Sequence, residues 1–251
     1  MRQAPAGGLA ASVSSGGVRE KELEERAKAL DRREAELNRR EQELGAGRPK
    51  NWPSKYFRIA YHDIDEEIPE PSRRAVHFAH YSFWGLAVCL TYNFFFAASG
   101  IMFTRGKFDA WLMAAIYLVL GVPGAYYLWY RRLYNAAKRD SALLFGWFFL
   151  MYLGHIVFCF YAMIAPSNAF GSPTYSLTGI MSMIAAFEEK DAHADALGGI
   201  YVFGFILFTV ELVLSVYTMR IVYMAFRGSG HTLQEARSAA AREGVSAAAR
   251  V

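Results

Sequence analysis

Cysteine is scarce in this 251-residue chain, and catalytic and glycosylation signatures are missing altogether. The two cysteines, Cys89 and Cys159, fall inside apolar runs, where a thiol packs as a small apolar side chain; they suggest neither a disulfide framework nor a metal site. No HExxH, paired CxxC, G-x-S-x-G or P-loop pattern occurs, and Gly228-Ser229-Gly230 has no strand before it and no phosphate-binding fingerprint. The histidines do not cluster at ligand spacing on one face, so no metal or cofactor is expected, and nothing indicates an enzyme. No asparagine opens an Asn-x-Ser/Thr sequon, which leaves N-glycosylation unexpected. Residues 1–17 are rich in Ala, Gly and Ser but lack the compact apolar core of a secretory signal. Residues 1–18 read as a disordered end, with a transit peptide as the alternative because acids are missing before Glu20. A net charge of +4 and a pI near 9.0 suit an anionic membrane surface. Nucleic acid is not an expected partner, because no basic motif or nucleic-acid fold accompanies the charge.

What the chain has in abundance is long apolar runs. Four of them, at about 78–102, 110–130, 142–165 and 197–219, are separated by charged segments. A helix needs about 20 residues to cross a hydrocarbon core. Backbone in lipid must satisfy its own hydrogen bonds, so each run is expected to be helical. The fold class is therefore an all-α membrane protein with four transmembrane helices (78–226) and a short C-terminal tail (227–251).

Ahead of the spans, residues 19–44 read as one charged helix. Leu23, Leu30, Leu37 and Leu44 recur every seventh position, and Glu22–Arg26, Glu24–Lys28 and Glu36–Arg40 are favourable i,i+4 pairs. The second seam position holds Ala27, Glu34 and Glu41, so a solitary helix and a short coiled coil both remain open. Gly45, Gly47 and Pro49 end it. Residues 50–77 mix aromatic rings with cations and read as an amphipathic juxtamembrane segment at headgroup level, followed by an acidic patch from Asp63 to Glu70.

Loop charge sets the orientation. The second loop carries Arg131, Arg132, Lys138 and Arg139 against Asp140, whereas the third carries Glu188, Glu189, Asp191 and Asp195 against Lys190. Short basic loops stay in the cytosol, so the second loop and both termini are expected there. In the third loop, residues 177–187 are apolar but too short to span, which leaves interfacial and re-entrant placements open.

Three intramembrane polar residues stand out: Asn93, His155 and Glu211. Counted from the cytosolic ends, His155 and Glu211 lie within about one turn of each other in depth, so the geometry permits a contact, with Asn93 as another partner open to Glu211. Such groups either fasten a bundle or mark an ion path. Pro123, within Gly121-Val122-Pro123-Gly124, is expected to kink span two. The stretch 128–139 interleaves rings with cations. Arg131, Arg132, Lys138 and Arg139 would contact anionic lipid, with Trp129, Tyr130 and Tyr134 seated in the interface. Topology signals with aromatic anchors are the plainer reading of the same residues.

These segments carry a resemblance. Asn51-Trp52-Pro53, His62-Asp63-Ile64, Glu67-Ile68-Pro69, Cys89-Leu90-Thr91-Tyr92-Asn93, Gly121 to Tyr126, Trp129-Tyr130-Arg131 with Leu133-Tyr134, Phe145 to Phe149, Ser176 to Ile180 and Phe226 to Gly230 follow in one order. Together they resemble the secretory carrier-associated membrane proteins (SCAMPs). The resemblance implies four spans with both tails cytosolic, and residence in trans-Golgi and endosomal vesicles and the plasma membrane. It implies a role in vesicle transport, exocytosis and endocytosis. It also implies phosphoinositide binding by the loop between spans two and three, with trafficking proteins as partners; the charged helix leaves homo- or hetero-oligomers open.

Two departures stand out. Arg132 occupies the place of a family proline. No Asn-Pro-Phe repeat occurs, which puts recruitment of EH-domain adaptors in doubt and suggests a short or incomplete N-terminal form. The expected function is thus membrane trafficking through a basic-aromatic loop. The alternatives are a small transporter or channel using His155 and Glu211, and a scaffold acting through the charged helix.

Overall fold

The structure is a computed structural model. It describes residues 62–166, 174–189 and 191–230, together with scattered positions from 25 to 60. Of the expected helix 19–44, Glu25, Lys28, Ala29, Arg32, Arg33, Ala35, Glu36 and Arg39 are described and are helical. The four leucines of its seam lie outside the described residues, as do residues 1–18 and 231–251. Within the juxtamembrane stretch, strand β1 (Trp52–Pro53) pairs antiparallel with β2 (Arg58–Ala60), the one departure from helix pairing among the described residues.

From Asp63 onward the chain forms a single helical unit. Helix α1 (Ile64–Glu67) is one turn, capped by the Asp63 carboxylate, which accepts from Glu66 N at 3.0 Å. Four helices long and apolar enough to cross a membrane follow: α2 (Glu70–Arg105), α3 (Phe108–Arg139), α4 (Ala142–Ile164) and α6 (Ala194–Gly228). Three of them outrun their apolar runs. The polar residues at their ends continue the backbone ladder where hydropathy no longer marks it. Turns between helices use left-handed backbone at Gly106 (φ 66°) and Asp140 (φ 49°), residues that tolerate it.

Two of the helices widen locally into a π turn. In α2 this covers Asn93–Ala98, and Ser99 N reaches Phe94 O. In α3 it covers Tyr126–Tyr130, just past Pro123. Pro123 cannot donate to the ladder, and the expected disturbance takes the form of this wide turn within a continuous helix. The carbonyl of Leu128 accepts from Trp147 Nε1 of α4 at 3.0 Å.

The stretch 177–187 resolves into two parts. Ser176, Leu177, Thr178 and Gly179 are buried among the helices, and α5 (Ile180–Glu188) then packs on α6 with Ile180, Met181, Ile184 and Phe187 outward. Non-helical backbone inside a membrane protein is tolerated where protein covers it. Thr178 lies against Gly204 of α6, and Gly179 against the backbone of Ala162 and Ala165. Tyr175, Ala186, Leu197 and Tyr201 form one core cluster there with Ala97, Ile101 and Ala110.

Candidate functional site

The stretch 128–139 is helix, not loop. Trp129 and Tyr130 finish the π turn, and Arg131–Arg139 continue α3. Helical spacing then splits the stretch into two faces. Trp129 is 2% exposed and Tyr130 1%, and Tyr134 is also buried. Trp129 packs edge-on against Tyr152 and lies 5.1 Å from the His155 ring, while Tyr130 stacks on Phe83 and bonds His80 Nδ1 at 2.8 Å. The expected interfacial seating of these three rings is thus corrected: Trp129 and Tyr130 fill the bundle, because the helix turns them toward α2 and α4, and Tyr134 is buried against the turn Asp63–Glu67. Arg131, Arg132 and Arg139 face outward, with Arg132 over the Trp147 ring at 5.5 Å.

Lys138 is engaged. Its Nζ donates to Glu67 Oε1 at 3.0 Å, and Tyr134 Oη donates to Glu67 Oε2 and to Asp63 O at 3.0 Å. The acidic turn α1 is therefore clipped to the end of α3. This contact needs the register of a one-turn helix, and no sequence pattern shows it. At the same end, Arg74 bonds Tyr217 Oη at 3.3 Å and Phe145 packs on Phe226. The beginnings of α2 and α4 and the ends of α3 and α6 thus lie together.

The opposite end is closed by charge. Arg105 Nε lies 2.6 Å from Asp191 Oδ2 and 3.0 Å from Glu189 Oε2, and Arg105 Nη2 donates to Ala186 O at 3.2 Å. The guanidinium also sits 5.9 Å from the Tyr175 ring centroid. Arg105 holds the Asp191 carboxyl below the usual carboxylate range. Burial and the bond to Glu189 push the Tyr175 hydroxyl up to about 12.

Between the ends lies a buried polar knot. Glu211, 2% exposed, accepts from Ser82 Oγ at 2.6 Å and Ser215 Oγ at 3.1 Å, and its Oε1 is 3.4 Å from His155 Nε2. Tyr152 Oη donates to Ser82 Oγ at 2.8 Å, and His155 Nε2 is 3.0 Å from Ser215 Oγ. Cys159 Sγ is 3.6 Å from His155 Nε2. A methyl group at Gly85 of α2 would overlap the Glu211 carboxylate, so only glycine leaves room for it there.

Of the two partners open to Glu211, His155 is the one it meets. Asn93 belongs elsewhere: its Nδ2 donates to Ser176 O at 2.8 Å, and it fastens the buried strand before α5. Ser82, Tyr152, Cys159 and Ser215 were missed from sequence. Cys159 and Ser215 had a signal, their i,i+4 spacings from His155 and from Glu211 on one helical face each. His155 also lines an apolar groove of about 640 Å³, walled by Leu90, Gly121 and Leu128 on one side and Gly154 and Phe158 on the other.

A bundle of four membrane-length helices with a polar knot inside, and arginines displayed at one end, defines a polytopic membrane protein. The chain belongs to the SCAMP family, whose model matches residues 49–229. That family is one of membrane-trafficking proteins, not of enzymes. The chain is 45% identical over 192 residues to secretory carrier-associated membrane protein 3 of Oryza sativa subsp. japonica, covering 76% of this chain and 65% of that protein. It is 43% identical over 191 residues to the secretory carrier-associated membrane protein of Pisum sativum, covering 76% and 63%. With secretory carrier-associated membrane protein 1 of Arabidopsis thaliana it shares 42% over 194 residues, covering 77% and 66%. The chain thus spans a little under two thirds of the length of these relatives. No solved structure matches it.

Proposed function

We propose that this chain acts in membrane trafficking on secretory and endocytic carriers, and that the outward arginines at the end of α3 draw it onto anionic, phosphoinositide-bearing membrane. Family membership supports the trafficking role. The observation that carries the lipid reading is the separation of faces on one helix: rings inward, Arg131, Arg132 and Arg139 outward.

Each basic residue near an anionic leaflet contributes about 1 kcal/mol. Three such residues strengthen attraction by about 3 kcal/mol, or roughly 100-fold. Lys138 adds less, because Glu67 already neutralises it. Residues 131–139 and both termini face the cytosol in this reading, the side on which anionic lipids concentrate. Lateral homo- or hetero-oligomers and soluble trafficking proteins are its partners. A relay through His155 and Glu211 is less well supported, because Asn93 is turned to Ser176 and does not extend it.

The test has two arms. The purified full chain in proteoliposomes is titrated with soluble phosphoinositide headgroup and with phosphoinositide vesicles; replacing Arg131, Arg132 and Arg139 by Gln is expected to weaken vesicle capture about 100-fold. Unchanged capture at physiological salt removes the lipid role. A fluorescently tagged chain is expected on Golgi, endosomal and plasma-membrane structures, and exclusive residence elsewhere removes the trafficking role.

A further inference from the structure

The polar knot joins three groups of different chemistry on two helices. His155 and Cys159 stand one turn apart on α4, and Glu211 faces them from α6. All three are buried, and their donor atoms lie within 4.8 Å of one another. An imidazole, a thiol and a carboxylate form a mixed N, S, O set, the kind that zinc accepts and that hard cations such as magnesium do not.

Two of the three donor spacings are those of a tetrahedral centre, and the sulfur–oxygen edge, within 4.8 Å, closes by a small side-chain shift on binding. Bond lengths of about 2.0–2.1 Å to nitrogen, 2.3 Å to sulfur and 2.0–2.2 Å to oxygen place donors about 3.6 Å apart for the N–S edge and about 3.4 Å for the N–O edge. The Cys159 Sγ to His155 Nε2 separation is 3.6 Å, and His155 Nε2 to Glu211 Oε1 is 3.4 Å. Ser215 Oγ lies 3.0 Å from the imidazole nitrogen and 3.1 Å from the carboxylate oxygen. That position suits a fourth donor or a hydroxyl holding a bound water.

Charge points the same way. A thiolate and a carboxylate cancel a divalent cation, so the loaded centre is neutral. Neutrality matters in hydrocarbon, where any uncompensated charge is expensive. The surroundings hold the donors in place: the Trp129 ring lies against the imidazole, Ser82 donates to the carboxylate and is itself held by Tyr152, and Gly85 leaves the carboxylate its room.

We propose that His155, Cys159 and Glu211 form a binding site for a zinc-class divalent cation inside the bundle, tying α4 to α6. Binding displaces the Cys159 thiol proton as the sulfur–metal bond forms, so affinity rises with pH.

The test uses the purified full chain in detergent, titrated with cobalt(II) and then zinc(II). Stoichiometric cobalt binding with a thiolate-to-cobalt charge-transfer band, bleached by zinc, is the expected result. Cys159→Ser abolishes the band, Cys89→Ser keeps it, and Glu211→Gln weakens cobalt binding more than about 100-fold, beyond what losing an outer-shell partner costs. As a check that needs no variant, X-ray absorption of the zinc-loaded unaltered chain is expected to show one sulfur ligand at about 2.3 Å. A chain that binds no stoichiometric cobalt, a band that survives Cys159→Ser, or bound zinc with no sulfur ligand overturns the proposal.

Discussion

At the Arg105 end of the bundle one buried guanidinium is shared by two carboxylates, whereas at the Arg139 end three arginines face outward while Lys138 pairs with Glu67. The first end spends its charge within the fold. Arg105, with a side chain 6% exposed, is enclosed by α5, Tyr175 and the turn before α6. The second end holds itself with rings and with the Lys138–Glu67 and His77–Asp65 contacts, and leaves its three outward arginines to the surroundings. Charge that closes a structure and charge that meets a partner are thus separated to opposite ends of one bundle. They look alike in the sequence, where both are merely basic or acidic loops.

The comparison is sharpest at the glycines of the closed end. Gly179→Ala would drive a methyl into the backbone of Ala162 and Ala165, and Gly204→Ala into the body of Thr178. Each is expected to destabilise the chain by about 3 kcal/mol or more, since neither obstacle can rotate away. Gly124→Ala and Gly154→Ala, which meet nothing within 4 Å, are expected to leave thermal stability in detergent unchanged. Equal effects at all four positions would mean the closed end is not the tighter one.

Next in size is Arg105→Gln, which removes the ion pairs but leaves much of the volume. Glu189 and Asp191 remain partly solvated, so the expected loss is about 1–2 kcal/mol, read as a lowered Tm. Arg131→Gln at the open end is expected to shift Tm very little.

The closed end should also ignore mild acid. Arg105 holds Asp191 below its ordinary 3.8, so that contribution is present above this value and is lost only as pH falls through the lowered one. Tyr175 is raised from 10.0 to about 12, so its contribution is present below 10.0 and is lost as pH rises through about 12. Hydrogen exchange over 174–189 is therefore expected to stay flat, after correction for intrinsic rates, through the mildly acidic range. A sharp opening there would give these residues a sensing role.

The smallest expected effect sharpens the open end. Lys138→Gln removes one of the partners of Glu67, leaving Tyr134, and loosens α1, yet changes vesicle capture by less than any one of the three arginines. A loss equal to Arg131→Gln would show that Lys138 also reaches the lipid.

The sequence made much of this legible, and the remainder was hidden for identifiable reasons. Apolar runs of membrane length marked all four spans, because hydrocarbon selects composition. Their ends were not marked: Arg131–Arg139 are helical by backbone bonding while the stretch is rich in polar side chains, and α6 runs past the expected end at 219 to Gly228, with arginines at 220 and 227 breaking its apolar run. Matched depth brought His155 to Glu211, but a serine on an apolar helix does not announce which neighbour it faces, so Ser82 stayed out of view. The inward turn of Trp129 and Tyr130 depended on reading 128–139 as a continuing helix with its own faces rather than as a flat loop.

The whole account rests on four helices crossing in alternation, with the displayed arginines on the side of the anionic leaflet. Single substitutions Arg132→Cys and Asp191→Cys, in a chain whose Cys89 and Cys159 are buried, report this directly through a membrane-impermeant maleimide. Labelling at position 132 from the cytosol alone, and at position 191 only after the compartment is opened, is the predicted result. Labelling of both positions from one side would contradict it.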